Sequence, residues 1–161
     1  MKLLLENWRK YLNESVEEML HMSLDEFDQT SQGWRRFADP TQQVEIMTRY
    51  LETNPTAKQD QVFMWHLGQA LAFAGQIPQA IDQMKTVNTA EPNQYNKLYQ
   101  LFTISFLGND MNKFNALYNQ YKNKIEGDTK DTNIQIVKCM KQCGDKGNFN
   151  YKSAYTTRCV C

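Results

Sequence analysis

Between Gln61 and Pro92 the apolar residues recur in two helical blocks. In the first, Met64, Leu67, Leu71 and Ala74 fall on one face of a helix. Gly68 sits inside that face, where glycine costs roughly 1 kcal/mol against alanine, a cost that points to another backbone passing close by. Gly75-Gln76 breaks the helix, since glycine adopts a left-handed cap easily. Pro78 falls in the first turn of the next helix, where its missing N–H is no loss. That helix carries Ala80, Ile81, Met84 and Val87 on one face and stops before Glu91-Pro92.

The flanking segments have the same organisation. Residues 1–22 carry Leu4, Leu5, Trp8, Leu12, Val16 and Leu20 near helical spacing, which predicts an amphipathic helix. Ser23 and Glu26 have the spacing of a capping box and predict a helix start, with Leu24, Phe27, Trp34 and Phe37 as anchors and Gly33 as an interruption. After the Asp39-Pro40 break, Thr41 to Thr53 reads as a helix through Val44, Met47 and Leu51, ended by Asn54-Pro55. Tyr95 to Leu107 and Met111 to Ile125 form another pair about the turn Gly108-Asn109-Asp110. Residues 126–132 read as a polar linker. Asn133 to Cys143 reads as a short helix capped by Asp131 or Thr132 and stopped at Gly144. Residues 148–161 alternate and are rich in Tyr, Thr and Val, which predicts a small β-hairpin.

The pair spanning residues 61–92 resembles a tetratricopeptide repeat, a two-helix unit of about 34 residues. Leu67-Gly68, Leu71, the turn glycine Gly75, the small Ala80 and the closing Pro92 carry the resemblance. Met64 stands where the family has tryptophan, with Trp65 one position later, and Val87 replaces a second alanine. Residues 23–56 and 95–125 then read as divergent neighbouring repeats, and three stacked pairs is about the minimum for stability. The expected architecture is mainly α: a TPR-like right-handed stack over 23–125, with a helix plus β-hairpin appendage over 133–161.

The resemblance also implies where a partner would bind. In such arrays the first helix of each pair lines a groove for a peptide or helix. Val62, Trp65, Gln69, Ala72 and Phe73 map to that face, as do Asn96, Tyr99, Thr103 and Phe106 of the next unit. Trp65, Gln69, Phe73, Tyr99, Thr103 and Phe106 are therefore the expected partner-binding residues. The alternative is that the N-terminal helix or the C-terminal tail fills this face from within. A receptor for a C-terminal carboxylate is disfavoured, because Val62, Trp65 and His66 occupy the region where the family clamp carries Lys, Arg and Asn.

Composition narrows the function. At 161 residues one core plus a small appendage is expected. Acidic and basic residues balance at 18 each, so nothing points to nucleic acid or an anionic membrane. No apolar run reaches the roughly 18 residues of a membrane span, and Leu3-Leu4-Leu5 is too short for a signal-peptide core. A cytoplasmic or virion setting is expected. The histidines, His21 and His66, have no Cys, Ser or carboxylate at a catalytic spacing, so a non-enzymatic protein is expected. MKLLLENWRKYLNE also resembles the N-terminal leaders of some tailed-phage proteins, cut after a Leu/Ile-x-Glu triplet such as Leu12-Asn13-Glu14. That resemblance implies a virion or head-associated protein with a cleavable leader.

All four cysteines lie near the C-terminus. Cys139 and Cys143 share one face of a helix roughly 6 Å apart, and Cys159 and Cys161 would share one face of a strand at a similar pitch. The arrangement is similar to the cysteine-stabilised α/β motif, which implies the pairs Cys139–Cys159 and Cys143–Cys161. A zinc site built from all four cysteines and four free thiols remain as alternatives, the zinc version making the chain a metal or thiol-redox protein.

Overall fold

The computed structural model describes residues 16–90, 93–128 and 130–161. Residues 16–20 are helical, and Met19 and Leu20 are buried. The expected leader cleavage site lies outside the described residues.

Helix α1 (Leu24–Gln29) begins with the expected capping box: Ser23 Oγ accepts from Glu26 N at 3.3 Å, and Glu26 Oε2 accepts from Ser23 N at 3.1 Å. Gly33 ends the excursion, since a Cβ there would collide with the Phe27 carbonyl. A 3₁₀ turn (Trp34–Arg36) leads into α2 (Pro40–Thr53), capped by Asp39, with Pro40 in the first turn. A second 3₁₀ turn (Pro55–Gln59) precedes α3 (Gln61–Phe73), which Asp60 caps through Phe63 N at 2.8 Å.

Among the described residues, helices α3 and α4 (Ile77–Ala90) form the most extensive packing. Gly68 explains their closeness: a Cβ at that position would meet Met84 Cγ at 2.7 Å. Gly75, at φ +77°, closes α3, and Gln76 N returns to the Leu71 carbonyl at 2.9 Å. The expected face of α4 is buried at Ala80, Met84 and Val87. Helix α3 is buried far more widely than a two-faced helix, with Phe63, Trp65, Gln69, Ala70 and Ala72 inside as well as Leu67 and Leu71. It lies between α2 and α4 and receives the C-terminal helix on another side.

Helices α5 (Gln94–Leu107) and α6 (Met111–Gln120) turn through Asn109, which takes the left-handed conformation (φ 53°) beside Gly108. The return helix expected to run to Ile125 breaks at Tyr121 and resumes as α7 (Lys122–Gly127), which buries Ile125. Helix α8 (Thr132–Asp145) is capped by Asp131 and packs on α5, bringing Ile134, Val137 and Met140 into the same core as Phe102 and Phe114. Gly144 does not stop this helix. It lies within it, where a side chain would run into Met111, and the chain turns at Gly147 (φ +72°) instead. The result is a stack of packed helices.

The β-hairpin expected at 148–161 is absent; no strand occurs among the described residues. Asn150 caps a single helical turn, α9 (Tyr151–Ala154), by accepting from Ser153 N at 3.0 Å. This places Tyr151 and Tyr155 one turn apart on the core side, where both pack on Phe73 of α3. A lone two-stranded hairpin is marginal in water, and packing two tyrosines against α3 is the better use of the same residues. Residues 156–161 continue without helix or strand, so the cysteine-stabilised α/β framework is not formed.

Candidate functional site

The six residues expected to bind a partner lie together on α3 and α5, and the C-terminal segment covers most of them. Phe106 is fully buried against Phe149, with ring centroids 5.5 Å apart. Phe73 packs on Tyr151 at 5.1 Å and on Tyr155 at 5.3 Å. Thr103 is fully buried and spends its hydroxyl on the Tyr99 carbonyl at 3.1 Å. Gln69 is buried and donates from Nε2 to the Tyr155 hydroxyl at 2.9 Å. Trp65 and Tyr99 pack edge to face at 5.9 Å, each less than a tenth exposed. The tail thus fills the lower part of this face from within.

Above the tail an open cleft of about 220 Å³ remains, lined by Gln61, Val62, Trp65, His66, Gln69, Asn96, Tyr99, Gln100, Asn133 and Tyr155. Its walls are aromatic and its polar groups are mostly carboxamides. Val62 (55 % exposed) and Asn96 stand at its rim. Gln100 is fixed by Asn88 Nδ2, which donates to its Oε1 at 3.1 Å. Burial, together with the neighbouring phenols, pushes the Tyr99 and Tyr151 hydroxyls well above the usual tyrosine range, so both stay protonated.

A second constellation adjoins the cleft, built from residues that no local spacing links. His66 is satisfied within the fold, its side chain 20 % exposed. Its Nδ1 lies 2.9 Å from both oxygens of Asp28, a buried carboxylate on α1. Trp34 Nε1 donates to Asp28 Oδ1 at 2.9 Å, and Arg35 Nη1 stands 3.6 Å away with its guanidinium 4.2 Å from the Trp34 ring centre. Burial raises the Asp28 pKa, but the hydrogen bonds from His66 and Trp34 and the His66 and Arg35 charges outweigh it, leaving it below the usual value. An ionised carboxylate only accepts, so Nδ1 carries the proton and Nε2 is the free ring nitrogen. Among the described residues no Ser, Thr, Cys, Lys or carboxylate lines the cleft beside it. The pair therefore orients a polar ring and ties α1 to α3.

The cysteines are joined as Cys139–Cys159 and Cys143–Cys161, the connectivity implied by the resemblance, with Cα separations of 4.7 and 5.4 Å. Helix α8 supplies one member of each pair, and the irregular C-terminus supplies the other. Closing loops of sequence separation 20 and 18 stabilises by about 3 kcal/mol each on a chain-entropy view. The bonds consume the thiolates that a four-cysteine zinc site requires, so that arrangement belongs only to a reduced chain. Among the described residues no group of three or more His, Cys, Asp or Glu is placed to hold a metal, and no helix is long and apolar enough to cross a membrane.

Compared with known proteins, the chain matches no family model, no curated protein and no solved structure.

Proposed function

We propose that this protein is a TPR-like helical-repeat interaction module that holds an extended segment of a protein partner in the cleft between α3 and α5. The observation that carries this reading is the lining of that cleft: carboxamides and aromatic rings on the first helices of two successive pairs, with an exposed apolar rim residue, Val62. Carboxamides carry a donor NH2 and an acceptor oxygen in one plane, which can pair with the C=O and N–H of a peptide group. Aromatic side chains supply contact area at low entropic cost. The close approach of α3 and α4 where Gly68 faces Met84 supports the repeat assignment. The two disulfides favour an oxidising destination, such as a virion or an extracytoplasmic space, over a reducing cytosol.

The test is selection of peptides from a random display library on the oxidised protein, followed by binding measurements on single variants. Val62→Asp and Asn96→Ala change exposed rim residues and should weaken selected peptides at least ten-fold while leaving the thermal transition in place. Lys85→Glu, exposed on α4, should leave binding unchanged. Failure to enrich any peptide, or peptides indifferent to both rim variants, refutes the reading.

A further inference from the structure

The C-terminal segment ends in a way that sets Tyr155 apart from the core residues before it. Tyr151 and Ala154 are buried and belong to the hydrophobic core, whereas Tyr155 is only half-buried and itself forms part of the cleft wall. Its hydroxyl accepts from Gln69 Nε2 at 2.9 Å, and its ring meets Phe73 edge to face at 5.3 Å. Beyond it little besides covalent bonds holds the chain. The Thr156 and Arg158 amides bond within the segment, to the Ala154 carbonyl and Thr156 Oγ1. Among the described residues, its backbone receives one hydrogen bond from elsewhere, from Lys146 Nζ to the Cys161 carbonyl at 3.2 Å. Cys159 has a left-handed backbone (φ 50°), a conformation that disfavours L-residues other than glycine. The Cys139 and Cys143 sides of the bridges are buried, but Cys159 and Cys161 are partly accessible and Val160 between them is exposed.

We propose that Tyr155 is an internal plug in a tyrosine subsite, latched by the two disulfides, and that dithiol reduction vacates the subsite for a tyrosine of the partner. Each disulfide takes two electrons and two protons from one dithiol, which closes to its own disulfide. Two dithiols therefore convert the bridges to four cysteine thiols. Beyond Tyr155 the freed segment then has one lysine hydrogen bond and a strained residue in place of two covalent anchors, which leaves Tyr155 only its Gln69 hydrogen bond and its ring contacts with Phe73 and Tyr151, and it leaves the wall. Gln69 and Phe73 remain where they are, held by α3. They offer an incoming phenol the same amide donor and the same ring edge that Tyr155 uses. The inference rests on the cleft being a binding surface, and it adds a chemical preference and a gate to that surface.

The probe is a fluorescein-labelled peptide of residues 151–158, YKSAYTTR, measured by anisotropy against the full chain. In the oxidised protein it should bind at least ten-fold more weakly than in the protein treated with dithiothreitol. Tyr155→Ala with both disulfides intact should bind the probe as the reduced protein does. Changing the probe's second tyrosine to phenylalanine should lower affinity several-fold, because Gln69 loses its acceptor. Circular dichroism and a cooperative melt on the reduced protein show whether the helical stack persists. Hydrogen exchange should rise over 155–161 and stay low over α3. Equal probe affinity in both redox states, a Tyr155→Ala variant no better than wild type, or loss of the stack on reduction overturns the proposal. The library peptides act on the oxidised chain through Val62, so their failure sinks the binding reading, whereas failure of the redox ratio alone sinks the plug.

Discussion

Replacing Asp28 by asparagine tests the buried constellation that ties α1 to α3. The substitution keeps the shape and removes the charge. Wild-type Asp28 accepts from Trp34 Nε1, His66 Nδ1 and Gln29 Nε2 and faces Arg35 Nη1, which has no hydrogen bond of its own among the described residues. The amide oxygen can still serve donors on one side, but the new NH2 group must face at least one of the three donors Trp34, His66 and Gln29. A buried donor left without its acceptor costs about 1–3 kcal/mol, so Asp28→Asn should lose about 2 kcal/mol. Asp28→Ala removes both acceptors and should lose more, about 3–5 kcal/mol. For a chain of this size each kcal/mol lowers Tm by roughly 2–4 °C. Thermal and urea unfolding followed by far-ultraviolet circular dichroism at neutral pH would read both losses. The pH dependence has a defined sign. Asp28 has a lowered pKa in the folded protein, so its contribution is present above the unfolded value of about 3.9 and is lost as pH falls through the folded pKa. The gap between wild type and Asp28→Asn should close toward low pH. A gap within about 0.5 kcal/mol at neutral pH, the range of an ordinary surface substitution, would refute the reasoning, as would a gap of unchanged size under acid.

Other substitutions probe individual features of the stack. Gly144→Val should destabilise by about 1–3 kcal/mol through overpacking, since a Cβ there runs into Met111; unfolding at an unchanged urea midpoint would show that α6 and α8 can part without cost. Ser23→Ala should cost about 1 kcal/mol by removing the α1 cap, measurable by the same melts. Trp65→Ala should unfold the domain partially or wholly, because Trp65 is packed on Tyr99 within the core; loss of peptide binding with an unchanged melt would instead make it a rim residue like Val62.

The α3–α4 pair was legible because its signals are local. Gly68 marks a close approach, Gly75 a left-handed closure and Pro78 a helix start, and each acts within its own turn or across one hairpin. The near-complete burial of α3 was not legible, since the apolar spacing of one face does not report that other elements cover the rest. The tail was misread because Tyr151 and Tyr155 serve a helical turn or an alternating strand equally well. The deciding residue was Asn150, whose side chain caps the turn at Ser153. The aromatic residues of the groove were placed on one face by the repeat pattern, but which element would cover them depends on α8 folding back onto α5. Asp28 and His66 lie 38 residues apart, and no periodicity links a residue of α1 to one of α3.

The central claim is that the open cleft, rather than another surface, receives the partner. Its most direct test is a titration of the isotope-labelled, oxidised protein with a library-selected peptide, followed by backbone and side-chain amide resonances. The account predicts shifts concentrated at Val62, Gln69, Asn96 and Asn133. Shifts centred instead on the groove beside Tyr95, Leu117 and Lys124, with the cleft residues unmoved, would contradict it.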